Sequence, residues 1–337
     1  MKIMITLGMT LLMALALSAC TGAPKDETIQ AENQKTVKIT SLNGSREKTE
    51  IEVPYDPERI AILDMASLDI IDNLGLGERV VGSAKTSLEY LQSYANNDKI
   101  EKLGTIKEAD LEAVMKADPD IIFIGGRLSK SYDQLAEIAP VVYLATDAEK
   151  GLVKSVEDNA LTIAKIFGKE DQVASKMAEF GKRIDALKKD SEGQTAVLGL
   201  TTSGSFNVLG NDGRLAMIAT DIGFENIGID IAASKKDEKE KKDKEASTAA
   251  HGNESSFELI LGLNPDYMFV MDRDAAIQTE GAKAAKEIIE NELIKKTEAY
   301  AQGNIVYLSH PAVWYTAEGG ITALDIMLQD LEEGLAK

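Results

Sequence analysis

One motif, made of a glutamate, a Pro-Asp pair and an arginine, occurs twice in the sequence with the same spacing. In each copy a Glu precedes a Pro-Asp pair by seven residues, and an Arg follows the Pro by eight residues, after a short apolar run. The copies lie 146 residues apart and consist of Leu111-Glu112, Pro119-Asp120 and Arg127, and of Phe257-Glu258, Pro265-Asp266 and Arg273. Arginine suits the binding of oxyanions, because its guanidinium stays charged and offers several donors. A repeat at this distance predicts two lobes built on one plan.

Each copy predicts a helix followed by a strand. The Glu opens an amphipathic helical stretch and the Pro-Asp pair ends it. Residues 121–124 and 267–270 are then apolar runs typical of strands buried on both faces. Ligands of open α/β sheets bind beyond the carboxyl ends of the strands, where Arg127 and Arg273 come next. We therefore expect both arginines to face a shared cleft; the alternative is two unrelated surface arginines.

The composition is that of a soluble, acidic protein. The chain has 337 residues, 44% of them hydrophobic and 28% charged, which is enough for two domains with their own cores. The net charge of -19 repels phosphate backbones, and 5% aromatic residues offer few surfaces for base stacking. We therefore expect no nucleic-acid partner, and any anion must be held by a local cluster of cations.

The N-terminus predicts export and lipid anchoring. Lys2 precedes an apolar run that ends in Leu17-Ser18-Ala19-Cys20, which indicates a signal peptide over residues 1–19. Cys20 is the only cysteine, so no disulfide is expected, and its position resembles the lipobox of bacterial lipoproteins. That resemblance implies lipidation of Cys20 and a location on the outer face of the bacterial cytoplasmic membrane. The alternative is an accidental cysteine near a secretory cleavage site.

The rest of the chain divides into two predicted α/β lobes and a connector. Between Val153 and Leu187 apolar residues recur at helical spacing, which predicts one long helix relaxed at Gly168; two lobe helices in series are the alternative. A polar, charged tract within the second lobe cannot contribute to a core. The predicted segments are a tether and edge strand over 20–50, lobes over 51–152 and 191–337, a connector over 153–190 and the charged insertion over 234–246.

Known enzyme motifs are missing from the sequence. It contains no Gly-x-Ser-x-Gly elbow, no Walker loop and no cysteine nucleophile. The only histidines are His251 and His310, which is few for a zinc site, although two histidines with two carboxylates remain open. We therefore expect no catalytic activity. His310 is interpreted as a loop residue, because the family resemblance described next implies no role for it.

Several of these features together resemble one family. The lipobox, the repeated motif, the helical connector, the segment from His251 to Glu258, and Val313-Trp314-Tyr315 followed by Gly319-Gly320 are similar to the ferric-siderophore-binding lipoproteins of bacterial ABC importers, most closely to the catecholate branch. The resemblance implies two Rossmann-like lobes joined by a single long helix, with little hinge motion. It also implies ferric iron bound as a siderophore complex, with no intrinsic cofactor, by a protein expected to be monomeric.

The resemblance also implies roles for individual residues. The family's cleft arginines correspond to Arg127, Arg214 and Arg273, and guanidinium groups suit a ferric catecholate because it carries excess negative charge on oxygen. Arg214 lies outside the repeat, so a turn arginine is its alternative. Trp314 is predicted to contribute to ligand binding as a pocket wall, with packing as its alternative role.

Two further residues correspond to iron ligands of the family. His251 and Tyr315 are implied to complete the iron shell when the siderophore supplies only four donor atoms, since imidazole and phenolate both bind ferric iron. A polar loop residue is the alternative for His251, and an amphipathic core residue is the alternative for Tyr315.

The family's permease-contacting acids correspond to Glu112 and Glu258. One acid on each lobe can dock on paired arginines of a two-fold transporter; the alternative is that each stabilises a helix N-terminus. The predicted function is therefore capture of a ferric catecholate siderophore and delivery to a membrane permease. The alternatives are a haem- or corrinoid-binding lipoprotein of the same fold, and a lipid-anchored hydrolase with His251 as general base.

Overall fold

The computed structural model describes residues 35–233 and 249–336, with side chains of the second range from residue 256. The predicted signal peptide, Cys20 and the charged insertion over 234–246 lie outside the described residues. The backbone of His251 belongs to a helix, but its side chain is likewise outside the described part.

The first lobe begins with a hairpin and continues as a parallel sheet. Strands β1 (Thr36–Leu42) and β2 (Lys48–Pro54) pair only with each other, so the predicted edge strand belongs to a separate two-stranded sheet. The lobe's own sheet has the order β5-β4-β3-β6-β7 with all neighbours parallel. Its elements are β3 (Ile60–Ile62), α1 (Met65–Asn73), β4 (Val80–Ser83), α2 (Gln92–Ala95), β5 (Glu101–Lys102), α3 (Leu111–Ala117), β6 (Ile121–Ile124), α4 (Tyr132–Ala136) and β7 (Val141–Tyr143).

Two helices connect the lobes. The sequence predicted one helix over 153–190, whereas the structure has α5 (Leu152–Phe167) and α6 (Glu170–Ser191). Gly168 ends α5 with a φ of 63°, a left-handed conformation that glycine adopts without strain from a β-carbon. The apolar spacing continues across this break because both helices bury a face, and spacing alone does not show that the axis is interrupted.

The second lobe repeats the plan of the first. Its sheet has the order β10-β8-β11-β12, with β9 antiparallel to β8 and the other pairs parallel. Its elements are β8 (Thr195–Thr202), β9 (Ser205–Val208), α7 (Ala216–Thr220), β10 (Glu225–Asn226), α8 (Ala249–Leu263), β11 (Tyr267–Asp272), α9 (Arg273–Ala276), α10 (Ala285–Ile289), α11 (Glu298–Ala301), β12 (Ile305–Tyr307), α12 (Pro311–Thr316) and α13 (Ile321–Leu335).

The repeated Pro-Asp pair has the same structural role in both lobes. Asp120 accepts hydrogen bonds from the backbone amides of Glu58 and Arg59, just before β3 (3.0 and 2.9 Å). Asp266 accepts from the amide of Thr195 at the start of β8 (2.8 Å) and from its hydroxyl (2.6 Å). Each aspartate therefore ties the start of its own strand to the start of the neighbouring central strand. The internal repeat is thus a structural repeat.

The C-terminal helix joins the two lobes. Helix α13 follows the second sheet, yet it packs on α1 of the first lobe and on α6. Asp69 of α1 is fully buried and accepts hydrogen bonds from the amides of Thr322 and Ala323 in the first turn of α13 (both 2.8 Å). A buried core cluster contains residues of both sheets and of α13. This contact fixes α13, and with it the preceding helix α12, against the first lobe.

The predicted fold class is confirmed: two α/β lobes with mainly parallel sheets are joined by a helical connector. Among the described residues, no helix has both the length and the apolar composition that a membrane span requires.

Candidate functional site

Three arginines surround the ring of Tyr315. The guanidinium carbons of Arg214, Arg273 and Arg127 lie 4.3, 5.3 and 5.9 Å from the centre of the ring. The structure therefore brings together four of the residues predicted from the sequence. The first and last of them, Arg127 and Tyr315, are 188 residues apart along the chain. Each distance lies within the range of a cation–π contact.

The two repeat arginines reach the site from equivalent positions. Arg127 lies in a 3₁₀ turn, Gly126–Ser131, that follows β6, and Arg273 is the first residue of α9, directly after β11. Thr202, at the end of the neighbouring strand β8, accepts a hydrogen bond from Nη1 of Arg273 (3.0 Å). Buried Asp274 lies 3.7 Å from the same nitrogen and balances part of its charge. Both arginines therefore lie beside the ring of Tyr315, and Arg127 also lines the cavity described below.

Hydrogen bonds connect the cluster to both ends of Tyr315. The main-chain carbonyl of Tyr315 accepts from Nη2 of Arg127 (3.4 Å) and from Nε and Nη2 of Arg214 (both 3.3 Å). Its hydroxyl accepts from Nε of Arg273 (3.0 Å). Arg127 belongs to the first lobe and Tyr315 to the second, so this contact crosses the cleft. Each guanidinium retains further donors for a bound anion.

The electrostatics of the site lower the pKa of the Tyr315 hydroxyl. Burial raises the pKa of the Tyr315 hydroxyl, but the hydrogen bond from Arg273 and the positive charges of Arg273, Arg214 and Arg127 outweigh it, so the pKa lies below its ordinary value. Burial lowers the pKa of Arg214, and the charges of Arg127 and Arg273 act in the same direction. Three mutually repelling cations held beside a polarised phenol form a site that an anion would stabilise.

A cavity of about 580 Å³ opens beside this cluster, between the lobes. It is large enough for a small-molecule ligand. A second cavity of about 220 Å³ shares Arg214 and Glu318 with it. The charged residues that line the larger cavity are Arg46, Asp64, Arg127, Arg214 and Glu318.

Three of these charged residues were not identified from the sequence. Arg46 has a φ of 66° in the β1–β2 turn, and its Nη2 donates to the carbonyl of Gly126 (3.3 Å), next to Arg127. Asp64 caps α1 by accepting from the amide and hydroxyl of Ser67 (2.9 and 2.8 Å). Burial raises the pKa of Asp64, against the Ser67 hydrogen bonds and the charge of Arg127. No motif marks Arg46 or Glu318; Asp64 could have been recognised only as a residue preceding a helix.

The prediction for Trp314 is wrong. Its side chain is fully buried and its indole nitrogen donates to Asp330 of α13 (2.8 Å), so it packs in the core and does not line the cleft. Asp330 also accepts from the backbone amide of His310 (3.1 Å) and contacts its Nδ1 (2.6 Å). This network holds α12, and therefore Tyr315, in place. His310 is the residue directly before α12, and its contacts with Asp330 help to hold the start of that helix.

The two predicted docking acids are both exposed, but they occupy different positions in their helices. Glu112 lies in the first turn of α3, two residues after the capping residue Asp110. Glu258 lies in the second half of α8, because that helix begins at Ala249. The prediction that Glu258 opens its helix is therefore wrong, and stabilisation of a helix N-terminus does not explain it.

Within the described residues, no three His, Cys, Asp or Glu side chains are grouped so that they could hold a metal ion. The chemistry that the described site offers is therefore hydrogen bonding and charge from arginines, with one phenol at their centre. This arrangement can bind a bulky ligand that carries negative charge on oxygen atoms.

Comparison with known proteins agrees with this fold. The chain is 33% identical to the petrobactin-binding protein YclQ of Bacillus subtilis, over all of both chains. It is 26% identical to the ferric-anguibactin-binding protein FatB of Vibrio anguillarum, over 82% of each chain. The crystal structure of YclQ superposes with a TM-score of 0.74 at 32% identity, covering 89% of this chain and 99% of that one.

A second solved structure matches equally well. The catecholate-siderophore-binding protein VctP of Vibrio cholerae superposes with a TM-score of 0.73 at 28% identity, covering 88% of this chain and all of that one. A family model described as periplasmic binding protein matches residues 60–312, which include both sheets and the arginine cluster. The chain therefore belongs to the periplasmic binding protein family.

Proposed function

We propose that this protein captures a ferric siderophore of the catecholate type in the interlobe cleft and delivers it to the permease of an ABC importer. The observation that carries the proposal is the convergence of Arg127, Arg214 and Arg273 on Tyr315 beside a cavity of about 580 Å³. A ferric catecholate is bulky and anionic, so it matches both the size and the charge of this site. The protein acts by binding, and no turnover is proposed.

The comparisons support this ligand class. YclQ is described as petrobactin-binding and VctP as catecholate-siderophore-binding, and both match nearly the whole of the described chain. Relatives described as binding iron-hydroxamate or ferric citrate are 27% and 26% identical. A haem or corrinoid ligand remains the alternative within the same fold; because it would need an axial ligand, Tyr315 or His251 would have to serve as one.

A titration of the purified protein without its lipid tests the proposal. The sequence contains one tryptophan, Trp314, which is adjacent to Tyr315, so its fluorescence should be quenched by a chelate bound in the cleft. We expect ferric catecholate to bind more tightly than ferric citrate or a ferric hydroxamate. A shifted and sharpened Soret band when haem is added to the protein, without binding of any ferric siderophore, would instead support the haem alternative.

We propose that Tyr315 completes the iron shell of a siderophore with only four donor atoms. The hydrogen bond from Arg273 and the charges of the three arginines lower the pKa of its hydroxyl, so they would stabilise a phenolate bound to iron. Tyr315→Phe should therefore weaken the charge-transfer band of a tetradentate ferric complex and leave that of a hexadentate complex unchanged. Visible absorption spectra of both complexes test this, and an unaltered tetradentate spectrum would exclude Tyr315 as a ligand. His251 stays a prediction of the sequence for the same role.

Membrane attachment and permease docking complete the proposal. Cys20 would carry the lipid anchor, which fractionation of a Cys20→Ser variant would test. Exposed Glu112 and Glu258, one on each lobe, would contact arginines of the permease. The double variant Glu112→Ala/Glu258→Ala should bind the siderophore with unchanged affinity but reduce its uptake by cells. Normal uptake would contradict the docking role.

A further inference from the structure

Glu318 places a negative charge inside a cleft that the other residues make suitable for anions. It follows α12, three residues after Tyr315, and lines both interlobe cavities together with Arg214. Its side chain is half-buried. A carboxylate at this position attracts the guanidinium groups, but it repels the oxygen atoms of an incoming chelate.

The charged and titratable groups around Glu318 come from both lobes. From the first lobe, Arg46, Asp64, Arg127 and Tyr143 line the larger cavity, and Asp147 lines the smaller one. From the second lobe, Arg214 lines both cavities, Asp212 the smaller and Tyr315 the larger. The positive charges that act on Glu318 most strongly are those of Arg214 and then Arg127.

We propose that Glu318 couples the binding of an anionic chelate to the uptake of one proton. This inference rests on the proposed function and concerns the same cleft. When the site is empty, a charged Glu318 balances part of the positive charge of Arg214 and Arg127. When a chelate takes up those donors, a charged Glu318 would lie buried beside a second anion, and a proton from solvent removes this repulsion.

The titration range of Glu318 fits this role. Burial raises its pKa to about 7, although the charges of Arg214 and Arg127 oppose the shift. A nearby anionic ligand raises the pKa further, because it disfavours the charged form. The complex therefore binds more protons than the free protein near and above pH 7, and linkage requires affinity to rise as the pH falls.

The test compares the parent protein with Glu318→Gln between pH 7 and 8.5. A ferric catecholate with six donor atoms is used, and its titration without protein is the blank. We expect the affinity of the parent to fall by up to about tenfold per pH unit above pH 7. Glu318→Gln should lose this dependence and bind several-fold more tightly than the parent at pH 8. Equal pH dependence in both proteins would overturn the proposal.

Two further measurements distinguish the possible failures. Calorimetry of the parent in buffers of different ionisation enthalpy should show uptake of up to one proton at pH 7.5, and no uptake would overturn the proposal even if the variant does not fold. Glu192→Gln is the matched control. This exposed glutamate follows α6 just before the start of β8, and therefore lies at the opposite end of that strand from the cleft. Absence of ferric catecholate binding by the parent would overturn the proposed function itself.

Discussion

Arg214→Ala is expected to cause a large loss of siderophore affinity. Arg214 is the closest of the three arginines to the Tyr315 ring and binds the carbonyl of Tyr315 through two nitrogens. Arg214 is half-buried, and a bound anion would desolvate it further. Removing one partner of such a desolvated charge pair costs roughly 2 to 5 kcal/mol, which corresponds to about a thirty- to several-thousand-fold increase in Kd. Quenching of Trp314 fluorescence by a ferric catecholate measures the change.

Two further variants separate charge from geometry. Arg214→Lys keeps the charge but loses the planar guanidinium, so it should recover only part of the lost affinity. Lys182→Ala removes one positive charge from an exposed position on α6, and should leave the affinity unchanged. If Arg214→Ala binds as tightly as the parent protein, the arginine cluster is not the ligand site.

The repeat in the sequence was sufficient to predict Arg127 and Arg273 as neighbours. Because both arginines have the same spacing from a Pro-Asp pair, each lies just after the carboxyl end of its strand. The carboxyl ends of the two similar sheets face each other, so the two arginines come close together. The strands were predictable for the same reason, since both apolar runs are buried over their whole length. Arg214 has no counterpart in the first lobe, so it required a resemblance to known proteins.

Other features of the site depend on contacts that no local pattern records. Arg46 reaches the cleft because a separate hairpin packs against β7 and α5, and its turn is beside Gly126. Glu318 is in the cleft because α13 is anchored to the first lobe immediately after it. Trp314 was misplaced because the neighbours Trp314 and Tyr315 lie on different sides of one short helix, and only the position of Asp330 shows which of them faces the core.

Asp69→Ala should be among the most destabilising substitutions in the protein. The buried carboxylate accepts from the amides of Thr322 and Ala323 and from the hydroxyl of Tyr90 (all 2.8 Å), and all three donors would lose their partner. Leaving several buried donors unpaired costs roughly 3 to 5 kcal/mol of unfolding free energy. Chemical denaturation of the unlipidated protein measures the loss.

Two comparisons show whether the loss comes from this buried contact. Asp325→Ala removes a carboxylate from the same helix as the Asp69 contact, but Asp325 is 57% exposed and pairs with Arg183 at the surface. This substitution should therefore cost less than about 1 kcal/mol of unfolding free energy.

The stability of the protein should also depend on pH through Asp69. Burial raises the pKa of Asp69 to about 6, so the folded protein binds this proton more tightly than the unfolded chain does. The resulting stabilisation of the folded state is complete below the ordinary pKa of 3.8 and is lost as the pH rises through 6. The stability difference between the parent and Asp69→Asn should therefore shrink between pH 4 and 7. Equal losses for Asp69→Ala and Asp325→Ala would mean that α13 is not held to the first lobe by this carboxylate.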